Sequence, residues 1–155
     1  KVPHGKSNLK IKRKIKTTSK FWFQLGIYVS EGYKPKTTDK KNFGSFDVCN
    51  SDKKIIQEMI AFLKCFGIDT KKIKGHLHIK IGNEEERMQL IEAFRKQWSV
   101  ITGIPLKKIT TNVSFYKKAK KLNKEFIGIF HIRFGNVIFI HILRNILLAY
   151  GLEWQ

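Results

Sequence analysis

Gln24–Gly32 reads QLGIYVSEG, and the rest of the chain is organised around it. The stretch closes an apolar run that starts at Phe21. It carries glycines at 26 and 32, with the carboxylate of Glu31 directly before the second. Phe21–Gly32 contains no Lys or Arg, in a chain that has 31 of them. The spacing predicts a helix over Phe21–Ser30, capped by Ser19 and ended by Gly32. Gly26 and Ser30, four apart, share a face of small side chains that lets another helix come close. Acids favour helix starts, yet Glu31 stands at a helix finish. A cation that neutralises it makes that position reasonable. Mg²⁺ is bound through one or two carboxylates together with phosphate oxygens and water, so Glu31 is a candidate metal ligand.

The totals point to a polyanion. The chain has 155 residues, 42% of them hydrophobic, enough for one domain with a real core. Lys and Arg outnumber Asp and Glu by 31 to 12, for a formal net charge of +19. Nucleic acid is the leading partner for such a surface, and an anionic membrane face is second. The most apolar segment, Val137–Tyr150, is shorter than the roughly 20 residues of a membrane span, and His141, Arg144 and Asn145 interrupt it. No signal-peptide pattern is present. Cys49 and Cys65, far apart in apolar patterns, read as buried free thiols. They suit a reducing intracellular compartment: an archaeal or bacterial cytoplasm, or an organelle.

Outward from the opening stretch, residues 1–18 form a basic arm and 19–155 a single domain. Pro35 keeps Tyr33–Lys41 extended. With Phe43–Asn50 this segment predicts a hairpin turning at Asp39–Asn42, with Lys34, Lys36 and Thr38 on one face of its first strand. In the second strand Phe46 and Val48 face the core, while Ser45, Asp47 and Cys49 face away. Ser51 or Asp52 caps a helix over Lys53–Phe66, which Gly67 stops. Lys71–Gly82 is a strand with Leu77, Ile79 and Ile81 inward and His76, His78 and Lys80 outward. A helix runs from about Asn83 to Ile101, with Glu84–Glu86 in the first turn, where acids suit the dipole. Leu106–Glu125 is basic, with short strand-like islands at Val113 and Phe115. Phe126–Phe134 is a strand with His131 and Arg133 outward, and Val137–Tyr150 is the last helix.

The order is helix, hairpin, helix, strand, inserted helix, strand, helix. It predicts an α+β domain in which helices cover one face of an antiparallel sheet. The other face carries Lys34, Lys36, Asp47, His76, His78, Lys80, His131 and Arg133. A sheet that keeps one face cationic is a binding surface, and such a ribbon fits a DNA major groove. There is no Gly-rich phosphate loop and no CxxC pair. His76 and His78 lack a nearby third ligand in the sequence, and neither cysteine has a local histidine partner.

Gly26, Ile27, Tyr28, Ser30, Glu31 and Gly32 resemble the LAGLIDADG motif of homing endonucleases, in the variant ending Glu-Gly. Gln24 and Val29 depart from its letters. FDVCNSDKKIIQEMIAFLKCFG (Phe46–Gly67) and WSVITGIPLKKI (Trp98–Ile109) also resemble segments of that family, so the likeness covers most of residues 21–150. It implies an αββαββα fold whose antiparallel strands form a saddle on double-stranded DNA. Since one motif is present, it implies a homodimer joined through Gly26, Tyr28 and Ser30. It further implies a metal-dependent double-strand cut at a long pseudo-palindromic site. Glu31 and the Ser30 carbonyl would hold Mg²⁺ or another divalent cation, and Asn50 would stand near the attacking water. Ser45, Asp47 and the other outward strand residues would contact DNA. Ser51 stands where some members carry Lys; the basic role falls to Lys124, Lys80 or another lysine, a choice the pattern leaves open, with Lys124 as the named candidate. That departure keeps open a second function, a nucleic-acid binder without cleavage, either an intron RNA maturase or a DNA-binding regulator.

Overall fold

The computed structural model of the chain describes residues 10–33, 44–81, 87–115 and 128–152. The hairpin turn at Asp39–Asn42, Lys34, Lys36, Thr38, Glu84–Glu86 and Lys124 lie outside the described residues. Helix α1 is Ser19–Glu31, strand β1 Ser45–Asn50 and helix α2 Lys53–Cys65. Strand β2 is Lys74–Ile81, helix α3 Arg87–Thr102, strand β3 Ile109–Phe115, strand β4 Ile129–Gly135 and helix α4 Val137–Ala149. Short 3₁₀ turns at Thr70–Lys72 and Leu106–Lys108 lead into β2 and β3. No helix among the described residues is long and apolar enough to cross a membrane.

The caps follow side-chain chemistry. Thr18, one residue earlier than the expected Ser19, accepts a hydrogen bond from the Phe21 N–H at the start of α1. Asp52 caps α2 by accepting from the Lys54 N–H. Gly67 follows α2 with φ +83°, a left-handed conformation that glycine adopts at no steric cost. Gly32 is needed for a different reason. Its backbone is extended, but a Cβ there would lie 2.5 Å from the Tyr28 carbonyl oxygen.

The fold is α+β, and its sheet is mixed rather than wholly antiparallel. The strand order is β1-β4-β2-β3. β4 pairs antiparallel with both β1 and β2, whereas β2 and β3 are parallel. Parallel neighbours need a long crossover, and α3 supplies one between β2 and β3. The basic stretch after Leu106 thus contributes a complete strand instead of isolated islands.

Period-two alternation sends Phe46, Val48, Leu77, Ile79, Ile81, Phe130, Ile132 and Phe134 into one buried layer. Helices cover that layer and interlock with it through aromatic rings. Tyr28 of α1 stacks on Phe46 at 4.7 Å, and Trp98 of α3 stacks on Phe130 at 4.6 Å. Phe139 of α4 meets Phe134 at 5.5 Å and Phe66 at 5.0 Å. Aromatic pairs of this kind add about 0.5–1.5 kcal/mol each beyond their area of burial. The described end of the basic arm is fastened to this body. The Lys12 N–H donates to the Phe66 carbonyl, and Ile11 and Ile15 pack against the core.

Candidate functional site: the polar face of the sheet

The end of α1 is tied to β1 by backbone hydrogen bonds. Gly32 forms an antiparallel bridge with Val48, and the Tyr33 N–H donates to the Asp47 carbonyl at 2.8 Å. This tether brings Glu31 beside Asn50, 19 residues away in sequence, and the Asn50 amide nitrogen donates to Glu31 Oε2 at 3.2 Å. The other end of that amide is fixed too: Asn50 Oδ1 accepts from the Asp52 N–H at 2.9 Å. The loop that starts α2 therefore turns the Asn50 NH₂ toward the carboxylate. Glu31 is exposed at the rim of a concavity of about 400 Å³, whose wall includes Asp47, Cys49, His131 and Arg133.

Ser30 and Gly26 are exposed on α1, with Phe23, 62% exposed, about one turn before Gly26. The Ser30 hydroxyl donates back to the Ile27 carbonyl within the helix. A Cβ on Gly26 would meet no atom within 4 Å. Tyr28, expected at a helix–helix seam with these residues, is fully buried instead. Phe21, Leu25 and Tyr28 are spaced by four and three, so they form the core stripe of α1, roughly opposite the Gly26–Ser30 face. Burial, and then the negative charge of Asp47, push the Tyr28 hydroxyl far above its ordinary pKa.

Asp47 also departs from expectation. It lies on the predicted face, but it is buried beneath Arg133 and is no exposed DNA contact. Arg133 donates through Nε at 2.8 Å and Nη2 at 2.6 Å to the same carboxylate oxygen. His131 Nδ1 stands 3.8 Å from the other oxygen, an electrostatic contact longer than a hydrogen bond. Burial alone would raise the Asp47 carboxyl. The facing His131 ring and Arg133 guanidinium outweigh it and hold the carboxyl below its usual range.

Register pairs His76 with His131 across β2 and β4, and Cys49 with His131 across β1 and β4. The three imidazoles therefore gather. The ring centroids are 4.6 Å apart for His76 and His78, 4.8 Å for His78 and His131, and 6.1 Å for His76 and His131. His76 Nδ1 shares a 2.7 Å hydrogen bond with the Thr110 hydroxyl. Burial, followed by repulsion from the neighbouring rings and Arg133, lowers the His76 pKa; burial and His131 lower that of His78. His131 Nε2 is 3.0 Å from Cys49 Sγ. Burial, Asp47 and Glu31 push the Cys49 thiol up, so it is a poor nucleophile. Both cysteines are free and half-buried. Among the described residues no three His, Cys, Asp or Glu side chains are arranged to hold a metal ion.

A concavity of about 350 Å³ lies over this group, with Lys74, Thr110 and Arg133 in its wall. Lys80 is exposed farther along β2, and Ser45 is half-buried at the start of β1. Sequence reasoning missed Cys49 as a neighbour of His131. It also missed the outward row Thr110, Asn112 and Ser114 on β3, which is exposed and in register with His76, His78 and Lys80. The alternation of these residues with Ile109, Thr111 and Val113 was the available signal. Gln24 is a further buried polar residue; its side-chain amide donates to Glu58 at 2.7 Å, joining α1 to α2.

An α+β domain with helices on one face of a four-stranded mixed sheet and a polar opposite face is thus the class that the described residues define. No protein-family model matches the chain. No curated protein matches it either. Among solved structures, the OmpA-like domain of FopA1 from Francisella tularensis is similar at a TM-score of 0.31 and 12% identity, over 66% of this chain and 79% of that one. That likeness is too slight to bear on the function.

Proposed function

We propose that this protein is a LAGLIDADG-type, metal-dependent DNA endonuclease that binds duplex DNA on the polar face of its sheet and cuts as a homodimer. The observation that carries the reading is the pairing of Glu31 with Asn50 at the edge of a cationic face, in a chain of net charge +19. Phosphates would be drawn by Arg133, Lys74 and Lys80, with affinity that falls steeply as salt rises.

The oxygen donors at the α1 terminus suit Mg²⁺. The Glu31 carboxylate faces solvent, and Asn50 donates to one of its oxygens. Glu31 and the Ser30 carbonyl are the groups that would hold the ion, with phosphate oxygens and water completing its shell. A divalent ion supplies charge stabilisation to the attacking and leaving oxygens of a phosphodiester. Asn50, itself held by the Asp52 N–H, restrains the orientation of that carboxylate.

The dimer rests on α1. Glycine inside a helix costs about 0.5–1 kcal/mol relative to alanine. Gly26 bears that cost beside open space, flanked by exposed Phe23 and Ser30. A second copy of α1 seated there gives the glycine a reason, and it sets two Glu31 side chains at one seam.

A specific observation favours the second reading, a nucleic-acid binder that does not cut. Among the described residues around Glu31, the cation is Arg133, and its guanidinium is already bound to Asp47. The two readings separate on Glu31→Gln. The endonuclease reading expects Mg²⁺-dependent double-strand cutting that is lost in this variant while duplex binding persists. Cutting at the parent rate by Glu31→Gln would remove the metal assignment.

A further inference from the structure

We propose that the polar face takes up protons when it binds duplex DNA, with His76 and His78, gathered beside His131, as the groups that accept them. The inference rests on the reading of this face as a nucleic-acid interface and specifies how that interface responds to pH.

Three imidazoles with centroids 4.6–6.1 Å apart cannot all be charged in the free protein without strong mutual repulsion. Their surroundings add to the conflict. β4 contributes the Arg133 guanidinium, and β2 contributes Lys74 to the same concavity and Lys80 beyond it. The opposing charges are Asp47 on β1, which is bound to Arg133 and lies 3.8 Å from His131 Nδ1, and Glu31 at the far rim. The Cys49 thiol on β1 is neutral, and the β3 row facing the cluster carries no ionisable group. Free, burial and these neighbouring charges hold the His76 and His78 imidazoles below their ordinary range.

A polyanion laid across the face reverses the balance. Each phosphate near an imidazole favours its charged form, and proximity of the rings, a liability in the free protein, then places several new charges under one strand. Binding and protonation are reciprocal. If DNA raises the proton affinity of the cluster, protons raise the affinity for DNA by the same factor. The gain is about tenfold in affinity per pH unit for each proton taken up. Each imidazolium that meets a phosphate also steepens the salt dependence by about 0.9 in log–log slope.

The test is calorimetry of the full chain with a duplex of random sequence near pH 6.5, in two buffers of different ionisation enthalpy, together with affinity measured from pH 8 to 5.5. The expected result is a binding enthalpy that differs between buffers, corresponding to uptake of about one to two protons, and affinity that rises as pH falls. His76→Asn/His78→Asn should remove most of the uptake. Imidazole resonances of the unaltered protein, titrated free and duplex-bound, give a check that needs no variant; their midpoints should be higher in the complex. Absence of duplex binding at every pH would overturn the nucleic-acid reading itself. Duplex binding with equal enthalpy in both buffers would overturn the proton linkage, and uptake that survives the double substitution would overturn its assignment to His76 and His78; either result leaves that reading standing.

Discussion

The same four strands carry two faces built on different physics. On the inner face, Phe46, Val48, Leu77, Phe130 and Ile132 are at or near zero exposure and meet helix side chains through ring stacks and close packing. On the outer face, Asp47, His76, His78, His131 and Arg133 are arranged by charge, with concavities above them instead of helices. The inner face is judged by volume, and a missing atom leaves a void. On the outer face the judgement is by electrostatic balance, where the loss of one partner changes the state of the others. Substitutions on the two faces should therefore fail differently.

The largest effect belongs to the inner face. Phe130 is fully buried, stacked on Trp98 and laid over Gly75. Phe130→Ala is expected to cost about 3–5 kcal/mol in denaturant unfolding, whatever the pH. A loss below 1 kcal/mol would mean that the inner layer is not the source of stability. Arg133→Gln comes next, because it leaves Asp47 buried without its guanidinium. The Asp47 side chain is 9% exposed but that of Arg133 is 54%, so solvent screening holds the loss to about 1–2 kcal/mol, under the range for a fully buried pair. Adding Asp47→Asn should recover part of it, and a double-mutant cycle reads the coupling. Additive losses would show that the pair is not coupled.

The pH response is smaller, and its sign is fixed by the lowered imidazole pKa values of His76 and His78. As pH falls through the ordinary histidine range, about 6.5, the unfolded chain takes up these protons before the folded one does. Stability of the DNA-free protein should thus decline from pH 7.5 to 5.5. His76→Asn/His78→Asn should flatten that part of the melting-temperature profile; an unchanged slope would place its source elsewhere. The Asp47 contribution is present above the ordinary carboxylate range and is lost only as pH falls through the lowered pKa of that group. The smallest effect is a gain. Gly26→Ala has open space around its new methyl and should stabilise the protomer by about 0.5–1 kcal/mol, while a large side chain at the same position should weaken self-association without unfolding the chain. Unchanged sedimentation of Gly26→Trp would detach the seam from this helix face.

Much of this contrast was legible in the sequence because strands write their two faces with period two. Phe130, Ile132 and Phe134 against His131 and Arg133 needed no further information, and the cap of α2 was narrowed to Ser51 or Asp52, of which the structure uses Asp52. Pairing partners were not legible. Whether Ile109–Phe115 lies parallel beside β2 depends on the crossover through α3, a non-local choice that alternation does not encode. Depth was also hidden. The face of Asp47 followed from its position, but its burial followed from Arg133, 86 residues away. The misplacement of Tyr28 has another origin. Its spacing from Phe21 and Leu25 marks the core stripe, whereas the resemblance assigned it to the seam. The gathering of His76, His78 and His131 came from strand register, which joins residues 55 apart in the chain.

The central claim is that Glu31, held by Asn50 at the rim of the polar face, directs metal-dependent cutting of a long site. The most direct measurement is to incubate the protein with a randomised duplex library and Mg²⁺ and to sequence the cut ends, with Glu31→Gln treated in parallel. The account predicts discrete ends flanking a long, two-fold-symmetric site with the parent protein, and none with the variant, although both retain the duplex. Duplex retention with no ends from the parent in any divalent ion, or the same ends from Glu31→Gln, would contradict it.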